Sequence, residues 1–247
     1  LQSRAAPSGG FELLQSMPLS LLTRSEPEPL ADQICDVVAE LDSKDESICL
    51  ACFDPVFSAM RYTVVRREPQ QSIGTFARAT GALTTAGLSI LRAQIETVGE
   101  DLAWDDFWVV DPLYPDCPPT DRVQEIRERV CRLLDSPDQP LPAHPRRWAT
   151  RSQEGDRVNL LPTKVTFDND TVDRFTIVSV FAYDEVGLLY RIASAFAEQE
   201  IVLHFAKIDT HLDQVADVFY VSQRDGSKVL DSDRMAAIEH ALLTATR

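Results

Sequence analysis

Two short stretches of this 247-residue chain carry residue types that could hold a charged ligand. In Asp184-Glu185-Val186-Gly187-Leu188, a glycine leads from a β-rich run into a helical pattern. Backbone N–H groups at such a turn, reinforced by the helix dipole, suit an anion, so Gly187 and Leu188 are candidate anion donors. Asp184 is a candidate partner for a cation. The bland alternative is that Gly187 only makes the turn and Asp184 caps the helix. A second turn, Gln71-Ser72-Ile73-Gly74, offers Gly74 without the acid, and Ser89 is a polar residue at the start of the β-rich run that follows.

Other reactive side chains do not assemble into a mechanism. Cys49 and Cys52 form a single C-x-x-C inside the apolar run ICLACF, with no second ligand pair for a zinc, so they read as core residues. The five cysteines form no disulfide framework and read as reduced, intracellular thiols. His144, His204, His211 and His240 are scattered, and His204 in a strand reads as a structural residue. We therefore expect no catalytic residues, no metal and no cofactor in this chain.

The elements that place these residues come as an internal repeat. Tyr62–Thr97 and Phe175–Thr210 match at a constant offset of 113, which sets Gly74 against Gly187, Arg78 against Arg191 and AQIET against AKIDT. DFWVV (106–110) then faces DVFYV (217–221), and ICLACFD precedes the first copy as KVTFDND precedes the second. Each copy has a β-rich run, the glycine turn and a helix with apolar residues at helical spacing (Phe76, Ala77 and Leu83; Leu188, Ile192 and Phe196). Two further β-rich runs form a hairpin, and a second amphipathic helix closes the copy. Val123, Ile126, Val130 and Leu133 make its stripe in one copy; Met235, Ile238, Leu242 and Leu243 do so in the other.

This spells a ββαββα unit, an α+β ferredoxin-like βαββαβ module with its last strand displaced. The second copy has no strand after its final helix, so ICLACF is the expected candidate to complete the second sheet, while KVTFDN completes the first. Pairing of Ile48–Phe53 with its own copy alone would defeat that strand exchange. The expected boundaries are a tail and connector helix at 1–46, a first module at 47–135, a proline-rich linker at 136–162 and a second module at 163–247. Trp148 in the linker reads as a docking anchor.

A tandem module of this order resembles the ACT domain. The second copy is similar to the final ACT domain of the bifunctional PII uridylyltransferase/uridylyl-removing enzymes. The features that carry this are FDND before the strand, D-x-x-G-L-L-Y-x-I at the turn, H-x-A-K-I, and VADVFYV followed by DGSKV. DDFWVVDP resembles that family's first ACT domain, and MPLSLL with the helix after it resembles the connector from its phosphohydrolase domain.

The resemblance implies a regulatory region that binds an amino-acid effector, glutamine first. It also implies upstream nucleotidyltransferase and hydrolase domains as partners and, through them, the PII protein. A zwitterionic effector would put its ammonium on Asp184 and its carboxylate on the N–H groups of Gly187 and Leu188. Two departures weaken that site: the family's D-x-P-G is Asp184-Glu185-Val186-Gly187, and its G-x-N is Glu200 and Val202, which removes the Asn amide. The first copy keeps Gly87 and has Ser89 where the Asn would stand, so a site shared between copies could join Asp184 to Ser89. The competing expectation is a stand-alone ACT-repeat interaction module that has lost its ligand.

Composition narrows the classes. The formal net charge of −15 opposes nucleic acid and anionic membrane surfaces as partners. No apolar run reaches the ~18 residues of a membrane span. LQSRAAPSGG is not a signal peptide, and with no initiating Met it reads as the start of a piece of something longer. A cytoplasmic location and a homodimer complete the expectations.

Overall fold

The computed structural model describes residues 10–24, 27–41, 46–67, 73–99, 101–144, 162–211 and 214–246. Gln71, Ser72, Trp148 and most of the linker lie outside the described residues.

Three helices come first: α1 (Gly10–Ser16), α2 (Leu19–Arg24) and α3 (Pro27–Leu41). Proline suits the first turn of α3, where its missing N–H has no partner to lose. The first module is β1 (Ile48–Asp54), β2 (Ala59–Arg67), α4 (Thr75–Thr85), β3 (Ser89–Val98), β4 (Leu102–Val110) and α5 (Thr120–Leu134). The second repeats it as β5 (Lys164–Asp168), β6 (Thr176–Tyr183), α6 (Leu188–Glu198), β7 (Val202–His211), β8 (Gln214–Ser222) and α7 (Ser232–Ala245).

All strands join one antiparallel sheet in the order β1-β2-β4-β3-β7-β8-β6-β5. Each half is a ferredoxin-like, ACT-type sheet whose edge position is filled by the leading strand. The halves meet at β3 and β7, from Arg92 opposite Asp209 to Ile95 opposite Ala206.

The expected strand exchange does not occur. β1 pairs along its length with β2, from Ile48↔Val65 to Asp54↔Ala59, and β5 pairs with β6. The reason is local: Pro55–Ser58 alone connect β1 to β2, and closing a tight hairpin costs far less chain entropy than reaching the far edge of the other sheet.

The ladders also correct the repeat alignment. Residues 48 and 65 pair as residues 164 and 181 do, a shift of 116 rather than 113. Tyr62 therefore stands where Val178 does, and the connection into the glycine turn is three residues longer in the first module. From the turn to the next strand the shift of 113 holds, and both copies have a ladder irregularity there, at Ile90/Arg92 and Leu203/Phe205.

Alternation sorts the strand residues by face. Tyr62, Val64 and Phe107, with Val178, Val180 and Phe219, face α4–α7 in the main core. Val65 and Trp104 turn the other way and meet Ile34, Val37 and Val38 of α3 in a second core. The stripe expected on α5 is shifted at its end: Leu134 is fully buried and Leu133 only partly.

Candidate ligand clefts between the modules

Gly74 and Gly187 are the N-cap residues of α4 and α6, with φ of 89° and 80°. That left-handed conformation is available to glycine at no steric cost. Each turn faces the far end of the other module's first helix. A Cβ on Gly187 would lie 3.1 Å from Thr84 Cγ2, and one on Gly74 would lie 3.9 Å from Ala197 Cβ. The helices α4 and α6 thus run antiparallel, each covering the turn that starts the other. Between them Gly81 admits Tyr190, since a Cβ there would come within 2.7 Å of the ring.

Two clefts open along this seam, one beside each turn. The first is lined by Gly74, Glu96 and Asp105 of the first module and by Ala197 and Leu203 of the second. The second gathers Asp184, Gly187 and Leu188 with Ser89 and Thr84 from the first module, and with Asp217. Asp184 and Ser89 therefore line one cleft, and Gly74 lines the other. Both clefts are shut: their cavity volumes are about 40 and about 20 Å³. A water needs at least ~10–15 Å³ of such space and ligand pockets run to ~300 Å³ or more. Leu188 N–H, one of the expected anion donors, is already donated to Glu185 O at 2.9 Å. Asp184 is exposed at the cleft mouth.

The sequence reading passed over Asp105 and Asp217. Asp105 is 3% and Asp217 1% exposed, and they occupy equivalent places, opposite Val64 and Val180. Each lies two residues before a core phenylalanine, Phe107 or Phe219, so period two alone places it on the helix-covered face. The sequence match of Asp106 with Asp217 is off by one. Asp106 points to the opposite face and accepts a 2.6 Å hydrogen bond from Thr63 Oγ1.

Repeat-related arginines hold the frame around the clefts. Arg122 donates to Ala86 O at 2.7 Å and pairs with Asp111 at 2.9 Å. Arg234 donates to the carbonyl of Gln199, the equivalent end of α6, and to its Oε1 at 2.9 Å. Cations placed there satisfy the last carbonyls of a helix and oppose its dipole. Arg78 donates to Gln139 O in the chain after α5, and Arg191 to Ala245 O at the end of α7, both 2.7 Å away.

The remaining candidates have structural surroundings. His204 stacks on Phe175 at 4.4 Å, lies 2.8 Å from Ser222 Oγ, and is held below its usual pKa by burial and then by Arg174. Burial pushes up the thiols of Cys49 and, to about 11, Cys131. Among the described residues no group of three or more His, Cys, Asp or Glu could hold a metal ion. No helix of the described residues is long and apolar enough to cross a membrane.

Residues 164–245 match the family model of the ACR9-like, ACT-like domain. The second module is an ACT-like domain. The curated relatives extend the likeness across both modules. The chain is 30% identical over 211 residues, 85% of its length, to the bifunctional uridylyltransferase/uridylyl-removing enzyme of Erythrobacter litoralis. It is 33% identical over 172 residues, 70% of its length, to the enzyme of the same name from Novosphingobium aromaticivorans. These matches cover 22% and 19% of those enzymes, so the chain spans about a fifth of the relatives it matches.

Proposed function

We propose that this chain is the amino-acid-sensing regulatory region, with glutamine as effector, of a PII uridylyltransferase-like protein. The observation that carries the reading is the paired cleft. Each ACT-type module sets a left-handed glycine turn and a buried acid, Asp105 or Asp217, on one seam. That pairing suits a zwitterion, with N–H groups for the carboxylate and an acid for the ammonium.

The clefts as described are too small for an amino acid, so glutamine would bind an arrangement in which α4 and α6 separate. A ligand shifts such an equilibrium only by its differential affinity for the open and closed forms. In the parent that shift would reach the upstream nucleotidyltransferase and hydrolase domains, through α1–α3, and so set the modification state of PII. The chain itself would catalyse nothing, need no cofactor, and work in the cytoplasm.

Titration calorimetry with glutamine tests the reading: a saturable heat at one or two sites, reduced by Asp217→Asn, is the expected outcome. Silence across a panel of amino acids would favour the second reading, an ACT-repeat interaction module without a ligand. The clefts' volumes are the observation on that side. The parentage has its own test: coding sequence upstream of this chain should contain the nucleotidyltransferase and HD-hydrolase motifs.

A further inference from the structure

Among the described residues the sheet ends on two edge strands, β1 and β5, and they are unequally guarded. β5 has five residues and opens on Lys164, a charge that discourages edge pairing. β1 has seven, ICLACFD, with no charge before Asp54. Arg127 Nε donates to the carbonyl of Cys49. That contact shows which way the ladder alternates: the backbone groups of Cys49 face away from β2, so those of Ala51 and Phe53 do too.

A groove of about 530 Å³ lies along this edge, lined by Ala51, by Asp32, Asp36 and Glu40 of α3, and by Arg61 and Arg127. α3 and α5 cover opposite faces of the sheet, so a groove lined by both must run along the strand's open side. The two arginines are turned inward, Arg61 over the Trp108 ring at 6.0 Å and Arg127 onto Cys49. The outer wall is the acidic stripe of α3, with all three acids exposed. Those acids recur every four residues, about 6 Å along a helix. Alternate side chains of an extended strand recur about every 6.7 Å.

We propose that the β1 edge is a docking groove for an extended, basic segment of a partner protein, which adds as a ninth strand and sets alternate Lys or Arg side chains against Asp32, Asp36 and Glu40. Backbone pairing supplies the affinity and the acidic stripe the selectivity. A second copy of this chain fits less well, because two-fold pairing of β1 with β1 brings the two acidic stripes together.

The test titrates the whole chain with a blocked octapeptide of alternating Lys and Val, and with its Glu and Val counterpart. Binding is read by anisotropy, and amide exchange is read at Ala51 and Phe53. The Lys peptide should bind, slow both amides and weaken as salt rises, while the Glu peptide should not bind. Asp36→Lys, on the exposed helix face, should weaken binding about tenfold. Ala51→Pro removes only an outward N–H and should weaken it at least as much. Equal binding of both peptides would overturn the proposal. So would binding that leaves the two amides unchanged, or self-association through β1 that protects them without peptide.

Discussion

Glu200 adopts φ 51°, a left-handed conformation, where the first module has Gly87 at φ 87°. A side chain in that region strains the backbone by about 1 kcal/mol, and glycine relieves it. Glu200→Gly should therefore raise the denaturant midpoint, by up to about 1 kcal/mol in stability. The two glycine turns should respond unequally to alanine. Gly187→Ala adds the φ strain and a 3.1 Å contact with Thr84, whereas Gly74→Ala adds the strain with only an ordinary contact at 3.9 Å. The first should cost about 1–2 kcal/mol and more than the second in parallel unfolding curves.

His204 gives a pH dependence whose sign follows from burial. Burial holds its folded pKa below the ordinary histidine value of 6.5, so the unfolded chain binds the proton more readily. The stabilisation is complete above pH 6.5 and declines as pH falls from there toward the folded pKa. His204→Phe keeps an aromatic ring on Phe175 and should flatten the fall in melting temperature between pH 7 and 5.

In the proposed function the seam between α4 and α6 is what a ligand would have to open. Gly81 is its tightest point, where a Cβ would overlap Tyr190, whose hydroxyl donates to Pro142 O and whose ring meets His144 at 4.4 Å. With Tyr190 so held, Gly81→Val cannot be absorbed by a rotamer change. It should cost about 1–3 kcal/mol and speed amide exchange in α4 and α6 ahead of the β1–β2 hairpin.

At this scale the sequence was informative where a period repeats and poor where pairing partners had to be chosen. The stripes of α6 and α7 emerged from spacing alone, as did the two glycine turns. The three-residue slip at Tyr62 arose because YTVV and FTIV are equally good strands, and only the ladder with β1 separates them. The strand exchange failed because a missing final strand says nothing about which edge the leading strand takes; the short Pro55–Ser58 link does. Asp105 and Asp217 were hidden by the doublet Asp105-Asp106, whose members face opposite sides of the sheet.

Across the whole molecule, two ACT-type modules share one sheet and cover each other's glycine turns. In the sensing reading the two clefts are coupled, because both lie along the same helix pair, α4 and α6. On that reading a ligand that enters must separate α4 from α6, since the clefts as they stand hold only about 40 and about 20 Å³. Amide hydrogen exchange of this chain with and without saturating glutamine is the direct measurement. The sensing reading expects altered exchange at residues 187–191 and 84–90, the two sides of the cleft that holds Asp184 and Ser89, with the outer strands β1 and β5 unchanged. Identical exchange at both stretches under saturating glutamine would contradict it.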